Sequence, residues 1–441
     1  MKRRDSMGWA GLLAGALVAG LAWGPNVAAQ TGTQTATQTA TQTAAPTRLR
    51  VFSGGANQRP DLMRKLFDAY QKQHPTVTID IETGGATSEL QRQYLSTVLN
   101  AKDPSIDIYL IDIVNPAQYF GAGWLEPLNA YVGEPAIALK PYLPVYATSN
   151  VINGKIAAMP AFADAMFMYY RKDLLAKHGV AEPKTWDELT AAAKKIQAAE
   201  ANPHLQGLSI QGAPIEGAVC TFLLPYWGQG KEFNDAAGKL TLDKPAAVKG
   251  LNQWLAMVDA GVIKKNVAEV KTPDTVNEFK AGQVVFAINW SWAWDRFKDD
   301  KDSTVAGKVG VMPLPAMPGG KSATCAGGWQ WAMSAFSKNK PEAAKLLKYL
   351  ATPEASQFLA AQGALLPTYP AVYQDTEVLK NVPWFKDAAV VVMGGKNRPL
   401  SRDYGQVSDV LRTTTSAVLA RTKKPAEAVD EIENRLRRVM R

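Results

Sequence analysis

The chain has 441 residues, with 49 Lys and Arg against 40 Asp and Glu, and a formal net charge of +9. The basic residues are scattered among acidic ones without a dense block or a nucleic-acid motif, so a diffusely positive surface is favoured over a nucleic-acid partner. The three histidines stand apart, and no His/Cys cluster or phosphate-binding glycine loop is present. We therefore expect no metal and no cofactor.

The N-terminus has the pattern of a secretory signal peptide over residues 1–29: a basic start at Lys2–Arg4, an apolar run, and small residues at Val27–Ala29. A membrane anchor is the alternative, but the run is short against the roughly 20 residues that span a bilayer. Residues 30–47 are rich in Thr, Gln and Ala and uncharged, which predicts a flexible tether. We expect an exported protein, periplasmic or on the outer face of the membrane, whose folded part begins near Arg48.

The first folded region alternates strand and helix patterns. Strands are predicted at Leu49–Ser53, in TVTIDIET and at Ile106–Ile111, with helical apolar spacing between them and Thr87 as a possible cap. This rhythm is typical of a parallel sheet with helices on its faces, and ligands of such sheets bind beyond the carboxyl ends of the strands. Asp112 stands at that place, so it is a candidate ligand group; a cap for the next helix is the alternative.

About 390 residues follow the tether, which is too long for one ordinary core and predicts two domains. The second region begins near MPAFADAMFMYYRKDLL. Further patterns predict helices at 186–199, 217–226, 246–259 and 273–281. The apolar strand QVVFAIN follows, then strands in KVGVMPLP and GGWQWAMSAF, and the final segment from Gln406 to Met440 is helical.

Tryptophans recur two positions apart in two places. If NWSWAW, at Asn289–Trp294, is extended, its three rings share one face; Trp329 and Trp331 follow the pair Gly327-Gly328. Aromatic rings together with carboxylates suit sugars, because the C–H face of a pyranose lies flat on an indole while charged groups hold its hydroxyls. Core packing is the alternative, and some of the five rings must lie there.

The two cysteines are Cys220 and Cys325. Export permits a disulfide, but the sequence leaves open whether the two thiols meet or stay apart as buried thiols.

Seven stretches occur in a characteristic order between Arg48 and the C-terminus: GWLEPLNAYV, MPAFADAMFMYYRKDLL, PKTWDELTAAAKKIQ, GAPIEGAVCTFLL, FAINWSWAW, KVGVMPLPAMPGG and AGGWQWAMS. In their order and spacing the chain resembles the family 1 extracellular solute-binding proteins of sugar ABC importers, and among them the trehalose/maltose-binding branch related to maltose-binding protein. The resemblance implies an α/β fold of the periplasmic binding protein type II class, with two α/β lobes, a three-segment hinge and a ligand cleft between the lobes.

The resemblance also implies domain boundaries. Lobe 1 would comprise residues 48–161 and 291–333, and lobe 2 residues 162–290 and 334–441. The lobes would close on the ligand by hinge motion.

Family binding positions carry over one at a time. The residues that match them are Asp112, Asp164, Glu216, Trp290, Trp292, Gly328, Trp329, Arg398 and Arg92. Three positions depart from the family pattern: Phe162 and Trp292 stand where relatives carry tyrosine, and Arg59 lies near an acidic position. These changes leave the exact sugar open.

The function implied is capture of a disaccharide such as trehalose or maltose, an α-glucoside, and its delivery to the membrane permease of an ABC importer with a cytoplasmic ATPase. The protein would act as a monomer and catalyse nothing. The alternative is a secreted glycoside hydrolase that uses Asp112 with Asp164 or Glu216 as its acid and base, which requires two carboxyl groups about 5–10 Å apart. A tethered surface adhesin is a third reading, although the chain has no tandem repeat and no anchor.

Overall fold

The computed structural model describes residues 46–439, except residues 86, 236 and 300. The predicted signal peptide and all but the last two residues of the predicted tether lie outside the described residues. The first strand begins at Thr47, one residue before the predicted start of the folded part.

The strands of the described chain, in order, are β1 (Thr47–Phe52), β2 (Val77–Glu82), β3 (Ile108–Asp112), β4 (Val151–Ile152), β5 (Lys155–Ile156), β6 (Met159–Arg171), β7 (Gln206–Ser209), β8 (Val284–Trp290), β9 (Val309–Met312), β10 (Thr324–Met333) and β11 (Gly395–Lys396).

The α-helices are α1 (Pro60–Gln73), α2 (Ser88–Asn100), α3 (Asn115–Gly121), α4 (Asn129–Val132), α5 (Pro135–Ala138), α6 (Pro144–Thr148), α7 (Lys172–Lys177), α8 (Trp186–Glu200), α9 (Glu216–Trp227), α10 (Lys244–Asp259), α11 (Thr272–Lys280), α12 (Ala293–Asp299), α13 (Lys340–Leu350), α14 (Pro353–Gly363), α15 (Thr376–Asn381), α16 (Phe385–Met393), α17 (Tyr404–Leu419) and α18 (Pro425–Leu436).

Nine of the described strands form one mixed sheet, and β4 and β5 pair in a separate two-stranded sheet. The order of the larger sheet is β2-β1-β3-β10-β6-β8-β7, with β11 beside β10 and β9 beside β6. The strands β1, β2 and β3 are parallel, which confirms the prediction for the first region. β10 runs antiparallel to both β3 and β6, so a late segment of the chain lies between two early ones. This insertion brings the end of β3 together with the middle of β10 and the middle of β6.

The predicted helices of the second region are confirmed with small shifts at their ends, as α8 to α11 show. Thr87 caps α2 as predicted, because its side chain accepts a hydrogen bond from Leu90 N. The C-terminal segment is helical but in two pieces, α17 and α18, and α18 begins at Pro425. Proline has no N–H and fits the first turn of a helix rather than its interior, so a new helix begins there.

Most of the buried apolar side chains fall into two large clusters. The first contains residues of β1, α1 and the second half of β10, and the second contains residues of α9, α10 and α17. The two-lobe partition stays a prediction, and one part of it differs from the packing: α13 and α14 contribute to the first cluster, although residues 334–441 are predicted to belong with the second region. The physical reason is that α13 packs against β10, β1 and α1.

A disulfide joins Cys220 on α9 to Cys325 on β10, which answers the question that the sequence leaves open. In the described part of the chain, no helix combines the length and the apolar character that a membrane span requires.

Candidate ligand-binding site

A cavity of about 330 Å³ lies where β3, β6, β8 and β10 meet the N-termini of α2 and α9. We call it the main cavity. Its volume falls within the roughly 300–1,000 Å³ that small-molecule sites occupy. The sequence-predicted residues that line it are Asp112, Asp164, Glu216, Trp290, Trp292, Gly328, Trp329 and Arg398. Arg92 is not a lining residue.

Sheet order explains how residues so distant in sequence come together. Asp112 is the last residue of β3, and Trp329 of β10 lies directly opposite it. On the other edge of β10, Gly327 pairs with Asp164 and Gly328 with Ala163 of β6. Two of the three candidate carboxylates, Asp112 and Asp164, therefore lie on strands separated by β10.

Arg398 binds two of the predicted carboxylates. Its Nη2 donates to Asp112 Oδ1 at 2.9 Å, and its Nη1 donates to Glu216 Oε1 at 2.9 Å. The guanidinium also lies over the Trp290 ring, 5.8 Å from its centroid. The side chain is only 2% exposed. Burial alone lowers the pKa of Arg398, but the anions Asp112 and Glu216, together with the Tyr404 hydroxyl, outweigh it and hold the pKa above its usual value.

Glu216, the first residue of α9, is satisfied by several donors. Its Oε2 accepts from Ser408 Oγ at 2.7 Å, and its Oε1 accepts from Tyr404 OH as well as from Arg398. Arg92 Nη1 lies 3.8 Å from Glu216 Oε2, so Arg92 supports this carboxylate from behind the main cavity. Burial pushes the pKa of Glu216 up, but the charges of Arg398 and Arg92 and the hydroxyl donors bring it below its usual value.

Asp164 has a different environment. Its Oδ1 accepts hydrogen bonds from Ala165 N at 2.8 Å, Ser291 N at 2.9 Å and Ser291 Oγ at 2.6 Å. Among the described residues, no donor reaches Oδ2. Burial raises the pKa of Asp164 to about 6, although the Ser291 and Ala165 donors favour the charged form. One carboxylate oxygen is thus available to a bound molecule.

The three rings of NWSWAW do not form a row, because the segment is not extended throughout. β8 ends at Trp290, and α12 begins at Ala293. The bend between them is fixed where both donors of Ser291 bind Asp164. Trp290 and Trp292 line the main cavity, whereas Trp294 stacks on Trp384 with ring centroids 5.1 Å apart.

Trp329 and Trp331 lie on one face of β10 but have different surroundings. Trp331 is opposite Leu110, fully buried, and its ring centroid lies 6.4 Å from that of Phe67 in the first core cluster. Trp329 is opposite Asp112, at the end of β3, and lines the main cavity. Their position along the strand, and not the face, decides which ring lies at the cavity.

The glycine pair before Trp329 makes room for protein groups. Gly328 has φ +116, and a Cβ there would lie 2.7 Å from Phe162 O on β6. A Cβ on Gly327 would lie 2.7 Å from Cζ3 of Trp290. These glycines therefore let β10 and the Trp290 ring approach their neighbours closely.

Two neighbouring residues of the site were not found from the sequence. Ser88 Oγ donates to Asp112 Oδ2 at 2.5 Å, and Glu89 Oε1 accepts from Glu216 N at 2.7 Å. Both lie at the start of α2, just beyond the carboxyl end of β2. The rule that singled out Asp112 after β3 would have found them if it had been applied to β2 as well.

The alternative role of Asp112, as a cap for the next helix, is not confirmed, because no described side chain caps the N-terminus of α3. Val114 N donates to Asp112 Oδ1 at 3.3 Å, so the carboxylate supports the backbone just before α3 while it binds Arg398.

Comparison with known proteins identifies the class. Residues 56–357 match the family described as bacterial extracellular solute-binding protein, and the chain belongs to that family. It is an ABC transporter solute-binding protein, with the mixed α/β fold of periplasmic solute-binding proteins such as MalE. The family is non-catalytic, so the hydrolase alternative is set aside.

Individual relatives agree with this assignment. A probable ABC transporter-binding protein of Deinococcus radiodurans is 36% identical over 349 residues, which cover 77% of this chain and 81% of the relative. The maltose-bound structure of T. maritima MalE3 superimposes with a TM-score of 0.79 at 33% identity, covering 89% of this chain and 99% of that one. A mannitol-binding protein of Pseudomonas aeruginosa is 24% identical over 345 residues, covering 73% of this chain and 70% of that protein.

Proposed function

We propose that this protein captures a disaccharide, an α-glucoside such as trehalose or maltose, in the main cavity and belongs to the trehalose/maltose-binding branch of its family. Two lobes close on the sugar by hinge motion. The closed protein then delivers the sugar to the permease subunits of an ABC importer, which a cytoplasmic ATPase drives, and it does so as a monomer in the periplasm or at the outer face of the membrane.

One observation carries the proposal. Trp290, Trp292 and Trp329 line the same cavity as Asp164, whose Oδ2 has no donor among the described residues. Indole faces accept the C–H faces of pyranose rings, and a carboxylate oxygen accepts hydroxyl hydrogen bonds. Aromatic faces beside a free acceptor favour a neutral polyhydroxylated ligand.

The charges of the main cavity support a neutral sugar over an anionic one. The positive charge of Arg398 is already shared between Asp112 and Glu216 at 2.9 Å each. Asp164 and Glu89 add two further carboxylates to the lining, against Lys271. A phosphorylated or acidic sugar would meet like charges there, which disfavours its binding.

The ligand of a similar structure supports the sugar class. T. maritima MalE3, whose sequence is 33% identical, holds maltose. The substitutions Phe162 and Trp292, which replace family tyrosines, alter the polar contacts available, so trehalose and maltose are both candidates.

The test is a thermal-shift screen of sugars followed by calorimetric titration of the hits. Ligands that bind only the native state raise its apparent stability. A disaccharide has about 23 heavy atoms, and about 0.3 kcal/mol per atom gives about 7 kcal/mol, near micromolar affinity. Maltose or trehalose should bind in this range, while glucose 6-phosphate and mannitol serve as controls. Failure of every disaccharide to bind would overturn the proposal.

Closure and the absence of chemistry are checked on the same samples. Small-angle scattering should give a smaller radius of gyration with the bound sugar than without it. Chromatography of the sugar after prolonged incubation should recover it intact, and an unchanged radius at saturation would contradict the closure mechanism.

A further inference from the structure

The N-terminus of α9 has no cap from its own segment of the chain. The residue before the helix is Ile215, which has the extended backbone of a capping residue (φ −111, ψ 171) but an apolar side chain that accepts no hydrogen bond. The first N–H groups of a helix have no partner within it and carry partial positive charge. Glu216, which begins the helix, is buried, so its N–H needs an acceptor inside the protein.

Glu89 supplies that acceptor from a distant part of the chain. Its Oε1 accepts a hydrogen bond from Glu216 N at 2.7 Å, across 127 residues of sequence. Glu89 also lies in the first turn of α2. One carboxylate is therefore placed at the N-termini of two helices, and both helix dipoles favour its negative charge. We call this contact the α2–α9 cap.

The two helices of the α2–α9 cap pack in different parts of the fold. α2 contributes Leu95 and Leu99 to a small third cluster, together with residues of β1 and β3. α9 belongs to the second cluster. Since Glu89 and Ile215 both line the main cavity, the cap joins two separately packed helices at the wall of that cavity.

The side chain of Glu216 is engaged elsewhere and does not cap its own helix. Its Oε1 accepts from Arg398 and Tyr404, and its Oε2 accepts from Ser408. In the predicted partition α2 lies in lobe 1 and α9 in lobe 2. When such lobes move apart, Glu89 stays with α2, and the N-terminus of α9 is left without its cap.

We propose that Glu89 is a positioning residue for closure: the α2–α9 cap forms when the two lobes come together, and it raises the population of the closed form before the sugar binds. The apparent affinity of a ligand scales with the fraction of protein in the binding-competent form. Glu89 therefore strengthens sugar binding without touching the sugar. This inference rests on the hinge closure of the proposed function and deepens it by naming a residue that sets the open–closed equilibrium.

The test measures this equilibrium in the sugar-free protein. Both native cysteines are joined in the disulfide, so spin labels can be attached at Lys65→Cys on α1 and Lys249→Cys on α10, two exposed positions. Pulsed electron paramagnetic resonance gives the distribution of distances between the labels. The distribution of the wild type saturated with maltose or trehalose, whichever binds, defines the closed form.

Glu89→Ala is compared with a matched control on the same helix. Gln93→Ala is that control, because Gln93 is exposed one turn further along α2 and does not line the main cavity. Calorimetry measures the sugar affinity of each variant, and melting temperatures establish that each is folded.

Ile215→Ser provides a second variant that moves the cap onto α9 itself. Serine is a good N-cap residue, and the backbone of residue 215 already has the required extended conformation. Such a cap is present in the open and the closed form alike, so closure no longer gains one. Glu89→Ala should therefore have little further effect on the equilibrium in the Ile215→Ser background.

We expect Glu89→Ala to lower the closed-to-open ratio of the sugar-free protein by about fivefold, the size of a typical N-cap contribution. Sugar affinity should fall by up to the same factor, and Gln93→Ala should behave like the wild type. If Glu89→Ala weakens binding but leaves the sugar-free ratio unchanged, Glu89 contacts the sugar directly and the inference is wrong, while the proposed function stands.

Two further results would also overturn the inference. One is a sugar-free wild type without a closed population, and the other is an equal effect of Glu89→Ala with and without Ile215→Ser. If saturating sugar does not change the label distance in the wild type, closure itself is contradicted, and with it the mechanism of the proposed function.

Discussion

Asp112 on β3 and Asp164 on β6 are carboxylates of the same cavity, on two strands separated by one strand, yet they differ in what they can offer a ligand. Asp112 binds Arg398 at 2.9 Å and Ser88 at 2.5 Å, so its charge is already used inside the protein. Asp164 has neutral donors on one oxygen alone, and burial raises its pKa to about 6. The comparison teaches that the nearest cation, rather than the residue type, decides which carboxylate is structural and which is free.

The largest expected effect is a loss of stability when Arg398, the cation shared by Asp112 and Glu216, is removed. Arg398→Met would leave Asp112 and Glu216 buried without their shared partner, which typically destabilises a protein by about 3–5 kcal/mol. Urea unfolding measures this loss. Arg402→Met is the control, because the Arg402 side chain is 81% exposed and its ion pair with Asp403 spans 3.5 Å. Equal stability of Arg398→Met and wild type would contradict the structural role of the Asp112 pair.

Substitution of each carboxylate in turn separates their roles. Asp164→Asn should weaken disaccharide binding by about 1.5–3 kcal/mol, roughly 10- to 150-fold, because a charged acceptor is lost. Its melting temperature should not fall, since the folded state no longer buries this charge. Asp112→Asn should instead lower the melting temperature, because Arg398 loses one of its anions. Calorimetry measures the sugar affinity of both variants, and thermal melts measure their stability. If the two variants change alike in affinity and in melting temperature, the proposed difference between Asp112 and Asp164 is wrong.

A pH series tests the raised pKa of Asp164 directly. Below pH about 6 its carboxylate takes up a proton and ceases to be a charged acceptor, so sugar affinity should fall by up to about 10-fold per pH unit. The stability of the sugar-free protein responds with the opposite sign. The folded pKa lies above the unfolded one, so the cost of the buried charge is present above pH about 6 and is relieved as pH falls toward about 4. Asp164→Asn should lack both dependences.

The smallest effect concerns the donor that holds Asp164. Ser291→Ala removes the 2.6 Å hydrogen bond from Oγ to Asp164 Oδ1 but keeps the backbone donor. A lost donor disfavours the charged form, so the pKa should rise, by about half to one unit for a bond worth about 1 kcal/mol. The midpoint of the affinity–pH curve should move upward accordingly. A midpoint that stays in place or moves down would show that Ser291 does not tune Asp164.

The sequence predicted those parts of the fold that depend on local pattern. The three parallel strands, the helices α8 to α11 and the Thr87 cap were readable from apolar spacing and capping chemistry. The position of Asp112 followed from the rule that ligands bind beyond strand ends. Apolar spacing reflects the local conformation of residues that are close in sequence, and the features named above depend on such residues.

Contacts between residues far apart in the sequence could not be predicted from these local patterns. Arg398 and Asp112 lie 286 residues apart, and nothing in either segment shows that they form an ion pair. The placement of β10 between β3 and β6 and the bend at Ser291 are likewise products of tertiary packing. The candidate residues could be identified from the resemblance to a family. Their electrostatic roles became visible only in the folded structure.

Cys220 and Cys325 tie α9, which begins with Glu216, to β10, which carries Trp329. The bond spans 105 residues of sequence, and closing such a loop in the unfolded chain stabilises the native state by about 2–5 kcal/mol. A lower melting temperature in dithiothreitol would measure this contribution. Because thiols stay reduced in the cytosol and oxidise outside it, the protein gains this stability only in the compartment where its extracellular family works. Before this bond forms, the chain is therefore easier to unfold than it is afterwards.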